Sequence, residues 1–255
     1  MRIAVIGATG LVGRAVLGAL ERDGHEGVAV SRSAGVDVVS GDGLGTSLAG
    51  CGAVIDVLNS SDDEGDGPRR FFTAATQNLL AAGHAAGVGH HVVLSIVGVD
   101  RMRGNPHYIG KQHQERLARS GPVPATIVRA TQFHDFAGMV VSWTRDGDSA
   151  FVPPLLVQPV DVGDVAAVLV EVASGPRAEG LIDVAGPDKQ DLVDMARRTL
   201  AARGESIRLT TGWGEPFGVE MAGEALLPGP GARIAPTTFD DWLARQAGSD
   251  PERRP

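Results

Sequence analysis

Three glycines, Gly7, Gly10 and Gly13, stand three residues apart directly behind the apolar run Ile3, Ala4, Val5 and Ile6. After them Leu11, Val12, Ala15, Val16 and Leu20 recur with helical period. A strand, a glycine turn and a helix in that order can hold a pyrophosphate. The helix start offers unpaired N–H groups and a partial positive charge, and glycine lets the main chain come close. Gly7, Thr9, Gly10, Leu11, Val12 and Gly13 are the candidate contacts. The spacing is G-x-x-G-x-x-G rather than G-x-G-x-x-G, and glycine is common here, 35 in all. Position decides against a merely structural turn, because the triplet follows a strand and opens a helix.

Other polar groups gather where apolar runs end. A second strand at 28–30 leads into Ser31-Arg32-Ser33. An acidic residue at that tip accepts from a ribose 2′-hydroxyl, whereas an arginine suits a 2′-phosphate. Arg32 therefore points to NADP(H) in preference to NAD(H). A third short strand is expected at 36–39. Asp42, just beyond it, is a partner for the adenine amino group, a turn residue, or the N-cap of a helix at 44–48. The run 53–58 is apolar except for Asp56, and Asn59 follows it, in the place of a nicotinamide-ribose contact. A further strand is expected at 90–96, with Ser95 near its carboxyl end, where ligands of open α/β sheets collect. Its adjacent His90 and His91 point to opposite faces, so they do not form a ligand pair and are expected at a sheet edge.

Stepping from these residues to the elements that carry them gives an alternation of apolar strands and amphipathic helices, with helices expected at 71–86 and entered through Pro106. That alternation predicts an α/β fold, a Rossmann-like doubly wound parallel sheet. Residues 1–136 form its dinucleotide-binding core. Residues 137–255 supply the remaining core elements and a small substrate-side lobe, all in one integrated domain. Within the second part, a pocket-lining segment is expected at 137–159, helices at 165–173, 192–203 and 239–244, short strands at 181–184 and 207–211, and a lid at 221–230. Asp161 is a candidate N-cap of the first of these helices.

The 255 residues carry 23 Lys+Arg against 31 Asp+Glu, a formal net charge of −8, which argues against a nucleic-acid partner. The acidic loop 62–68 lacks calcium-loop spacing and reads as a solvated connection, so no metal is expected. One cysteine, Cys51, precludes an internal disulfide and reads as a small filler before a strand. No apolar run reaches membrane-spanning length and no signal peptide is evident, so a cytoplasmic protein with a small-molecule substrate and no membrane partner is expected, with room for an oligomer.

The motifs GATGLVG at 7–13, VVLSIVGVDR at 92–101, a lysine-bearing helix followed by Glu115, IVRATQF at 127–133, DVAGPD at 183–188 and TTFDDWL at 237–243 resemble the atypical short-chain dehydrogenase/reductase superfamily. The branch they look like is the NmrA-like, NAD(P)H-binding one. The resemblance implies a serine that orients a carbonyl, a tyrosine that exchanges a proton, and a lysine four residues on that lowers the tyrosine pKa and holds the nicotinamide ribose. Ser95 and Lys111 match. The tyrosine is displaced: His107 stands four residues before Lys111 and Tyr108, the only tyrosine, stands three. Both spacings keep one helix face, so Tyr108 or His107 is the proton donor, or neither is. The reading is an NADP(H)-dependent oxidoreductase of a small, mostly apolar carbonyl, quinone or enone. A non-enzymatic cofactor sensor and an epimerase or dehydratase with transiently used cofactor are the alternatives.

Overall fold

The computed structural model describes residues 1–248 apart from 63, 103, 177–178 and 215–216, and side chains as far as residue 246. Twelve strands and eight α-helices follow one another along the described chain. The first are β1 (Arg2–Ile6), α1 (Leu11–Arg22), β2 (Glu26–Val30), α2 (Leu44–Leu48), β3 (Ala53–Asp56), α3 (Gly67–Ala85), β4 (His90–Ile96), α4 (Pro106–Ser120) and β5 (Ala125–Ala130). Then come α5 (Phe136–Trp143), β6 (Arg145–Asp146), β7 (Ser149–Val152), β8 (Leu156–Val157), α6 (Val162–Ser174), β9 (Gly180–Ala185) and β10 (Gln190–Asp191). The last described elements are α7 (Leu192–Arg203), β11 (Arg208–Thr211), β12 (Arg233–Ile234) and α8 (Phe239–Gly248). No described helix is long and apolar enough to cross a membrane.

The main sheet has seven strands in the order β12-β9-β5-β4-β3-β1-β2. β1 pairs in parallel with β2 on one side and β3 on the other, and β3 pairs in parallel with β4. Strands buried on both faces need no polar–apolar alternation, which is why β1 reads as one continuous apolar run. This is the expected Rossmann-like doubly wound sheet. The reversal of direction across the sheet falls at β1, between β2 and β3, and ligands of such sheets bind beyond the carboxyl ends there.

Contacts divide the chain into two compact units. The first holds residues 1–129 and 162–182. On one sheet face Ala4, Ile6, Val30 and Val54 pack with Leu44 and Leu48 of α2 and Leu79 and Leu80 of α3. Cys51 belongs to this core, buried, and burial pushes its thiol pKa up. α1 packs on α6, and α6 on β3 and β4. The second unit holds residues 130–161 and 183–255. There β7 pairs with β6 and β11, β8 with β10, and the end of β9 with β12. α7 packs against α5 and α8, and Phe239 stacks on Trp242 at 5.6 Å.

Two expectations need correction. Residues 36–39 form no strand. Gly35 and Gly41 bracket them at φ +77° and +88°, and the Asp37 carboxylate accepts from the amides of Val39 and Ser40. Local bonds thus satisfy groups that a ladder would have used. His90 and His91 are not edge residues either: both are buried in β4, which lies between β3 and β5. Each finds a polar neighbour on its own side, His90 Nε2 at 2.9 Å from Thr126 Oγ1 and His91 Nε2 at 3.7 Å from Asp56 Oδ2.

Candidate active site

The glycine turn leaves β1 at Gly7, whose φ of +84° suits glycine and whose amide donates to the Val30 carbonyl at 3.2 Å. A Cβ on Gly7 would come within 3.1 Å of the Val57 carbonyl oxygen, so the turn lies directly against the chain leaving β3. Gly13 is under greater constraint. Its Cβ would stand 2.2 Å from the Gly7 carbonyl oxygen and 2.7 Å from Ala8 Cα. Gly10 is the N-cap of α1, no side chain caps that helix, and its first turn holds no acid. Its amides and dipole therefore remain for an external anion. Thr9 and Leu11 are exposed there and Val12 is half-buried. A pyrophosphate fits this cradle.

Arg32 follows β2 by two residues, exposed, in a short 3-10 turn beside the hydrogen-bonded hydroxyls of Ser31 and Ser33. Asp42 is not an N-cap: that place is taken by Gly43. Its carboxylate accepts from the Ser40 hydroxyl at 2.8 Å, a bond within the turn. Asn59 is exposed three residues beyond β3.

Ser95 sits one residue from the end of β4, 3% exposed, and its Oγ has no hydrogen-bond partner. A buried hydroxyl without a partner is costly, which makes Ser95 a candidate donor to a ligand. α4 supplies the other candidates. Pro106 opens it, and the Asn105 side chain accepts from the amides of His107 and Tyr108. The His107 ring packs edge-on against Phe72 of α3, and the rings of His107 and Tyr108 lie 6.4 Å apart. Tyr108 is half-buried, and burial pushes its phenol up to about 12.

Lys111 is 5% exposed and its ammonium is fully engaged. It donates to the carbonyl oxygens of Leu58 at 3.0 Å and Leu94 at 2.9 Å, and to Gln114 Oε1 at 2.9 Å. It also lies over the Phe72 ring, 4.7 Å from the centroid. Burial pulls its pKa down to about 8, against the opposing pull of Asp56 and Glu115. Gln114 in turn donates from Nε2 to Asp56 Oδ2 at 2.9 Å. Asp56 is fully buried, which pushes its carboxyl up, yet His91, Lys111 and the Leu58 amide outweigh that and hold it below the usual range. Glu115, the residue after Gln114 in α4, takes two 2.8 Å bonds from Arg129 and one from Arg119.

The structure thus brings together the glycine turn, the exits of β3 and β4, and α4 through Lys111. Arg32 lies at the exit of the neighbouring β2, and Asp42 is tied into its own turn. Asp56 and Gln114 were not singled out in the sequence as site residues. The available signals were a lone acid in an apolar strand and the Lys111-to-Gln114 spacing of one helical turn. Among the described residues no group of three or more His, Cys, Asp or Glu could hold a metal.

Residues 7–176 match a family described as NAD(P)H-binding. The chain belongs to this NAD(P)H-binding family. It is 31% identical, over 94% of its own length and 84% of the other's, to the (4-alkanoyl-5-oxo-2,5-dihydrofuran-3-yl)methyl phosphate reductase of Streptomyces griseus subsp. griseus. Its fold is similar to that of a short-chain dehydrogenase/reductase superfamily protein from Agrobacterium tumefaciens with bound NAD, at TM-score 0.73, 19% identity and coverage of 99% and 98%. It is also similar to MoeE5 in complex with UDP-glucuronic acid and NAD, at TM-score 0.77, 20% identity and coverage of 97% and 98%. The chain is an NAD(P)-dependent oxidoreductase.

Proposed function

We propose that this oxidoreductase uses NADP(H) to reduce a conjugated enone or unsaturated lactone. The observation that carries the reading is the buried, unpartnered hydroxyl of Ser95 at the carboxyl end of β4, suited to a substrate carbonyl oxygen. The Streptomyces reductase supports the substrate class, because the dihydrofuranone in its name has a carbon–carbon double bond conjugated to two carbonyl groups. Arg32, exposed behind β2 with no acid beside it, supports the phosphorylated cofactor.

The glycine turn and the start of α1 hold the pyrophosphate, Arg32 the 2′-phosphate, and Asn59 the nicotinamide ribose. Asp42 is left with its turn. When bound, the nicotinamide would supply a hydride to the substrate β-carbon. Ser95 would donate a hydrogen bond to the carbonyl oxygen as negative charge gathers there. Tyr108 then gives the proton, and solvent restores it. A phenol that ionises only at about 12 stays protonated at neutral pH. His107 is assigned to packing, because its ring is engaged with Phe72.

The test is NADPH and NADH oxidation against alkanoyl butenolides, cyclic enones, quinones and simple ketones. Enone or butenolide turnover with NADPH is expected to exceed ketone turnover at least tenfold. Turnover of ketones alone overturns the substrate class, and equal use of both cofactors overturns the assignment of Arg32.

A further inference from the structure

We propose that Asp56 and Gln114 are positioning residues that hold the Lys111 ammonium against the Leu58 and Leu94 carbonyls, and so fix the two strand exits that carry Asn59 and Ser95. Lys111 then acts through the backbone, as a clamp between β3 and β4. This role departs from the one the family resemblance implies for Lys111, and it rests on the proposed use of Ser95 and Asn59.

The chain of contacts runs in one direction. An ammonium has three N–H donors and no acceptor. All three are taken, by Leu58 O, Leu94 O and Gln114 Oε1, at 2.9–3.0 Å. None is left over for a ribose hydroxyl unless one of these bonds breaks. The two carbonyls each precede a site residue by one position, Leu58 before Asn59 and Leu94 before Ser95. A displaced ammonium would therefore release both exits together.

Gln114 completes the clamp only in one orientation of its amide, with oxygen toward Lys111 and nitrogen toward Asp56. An amide's two ends have nearly the same shape, so something chemical must choose between them. An ionised carboxylate only accepts, and Asp56 Oδ2 receives Gln114 Nε2 at 2.9 Å. Asp56 also holds the strand exit itself, since Oδ1 accepts from the Leu58 amide at 3.0 Å. The register fixes Asp56 opposite Ile6 of β1 and Val93 of β4, inside the sheet. A buried charge there is expensive without partners. The groups facing this cluster are His91 from β4, Lys111 and Glu115 from α4, and Arg129 of β5 behind Glu115. Burial is what raises the Tyr108 phenol.

The experiment compares wild type with Asp56→Asn, Gln114→Leu and the double variant Asp56→Asn/Gln114→Glu. In the double variant the new carboxamide at position 56 donates to the new carboxylate at position 114, which accepts from Lys111. The direction of the chain is thereby restored with the negative charge moved. Three readouts are taken: kcat and NADPH KM with an enone acceptor, the pH profile of kcat, and amide hydrogen exchange over residues 57–60 and 94–97. Each single variant is expected to lose kcat about 10–100-fold as the Ser95 exit loosens, with NADPH KM raised about threefold or more as the Asn59 exit loosens. Asp56→Asn removes a charge that favours the Lys111 ammonium, so its basic limb should move to lower pH by about one unit. Exchange should rise about tenfold or more at both segments, and the double variant should recover most of each loss. Folded single variants with wild-type kcat, pH profile and exchange overturn the proposal. If the single variants do not fold, a folded double variant that stays inactive with fast exchange overturns it as well. If wild type reduces no enone, the substrate reading fails, while exchange still decides the clamp.

Discussion

Ser95 and Tyr108 divide the chemistry between a donor that waits for negative charge and a donor that gives up its proton. Ser95→Ala removes the donor to the enolate, and kcat should fall by about 10²–10³-fold with NADPH binding unchanged, as read by cofactor fluorescence. Tyr108→Phe should lower kcat by about 10²–10⁴-fold. The two groups that titrate on the basic side differ in where they do so. Lys111 loses its proton at about 8 and Tyr108 at about 12. Reduction should therefore decline as pH rises through about 8, and Tyr108→Phe should retain that limb at reduced amplitude. A profile flat to pH 10 would separate Lys111 from the reaction. Arg32→Ala should weaken NADPH at least tenfold and NADH less than twofold, measured by equilibrium titration.

At the scale of elements, α4 sets the register of the site, because Asn105 caps it just where His107 and Tyr108 begin. Asn105→Ala should cost about 1 kcal/mol in urea unfolding, and activity should fall with the frayed first turn. The glycine-turn strand and helix were legible because both leave a local pattern, and so was the helix 192–203, which coincides with α7. Residues 36–39 were misread because two valines alternating with polar residues imitate a strand, while the deciding bonds come from Asp37 itself. α3 begins earlier than the apolar period suggests, since Pro68 serves at its first turn, where no amide donor is needed. The clamp was illegible for a different reason. Asp56 and Gln114 are 58 positions apart, and only the folded sheet brings them together.

The molecule as a whole carries a cost for its buried ammonium, with a definite sign. The Lys111 pKa is lowered from 10.5 to about 8 in the native state. Below pH 8 both native and unfolded chains bind that proton, and the burial penalty is present in full. Between about 8 and 10.5 the unfolded chain keeps the proton and the native chain does not, so stability rises with pH. Relative to Lys111→Met, wild type should gain at most about 1.4 kcal/mol per pH unit across that window, read from urea melts at several pH values. Activity and stability should thus move in opposite directions above pH 8. Gly13→Ala tests the other fixed point of the first unit. Its Cβ meets main-chain atoms that have nowhere to go, and a loss of about 1–3 kcal/mol together with nucleotide affinity is expected.

The helix that bears Gly13 leans on α6, which the chain reaches only after residues 130–161 of the second unit. During synthesis, then, α1 emerges before α6 and stays without its brace until residue 174 has left the ribosome. A fragment truncated at 136 would expose the flank that α6 covers, and should bind chaperones or aggregate instead of capturing nucleotide. The order of translation makes the glycine turn wait for a helix about 150 residues further along the chain.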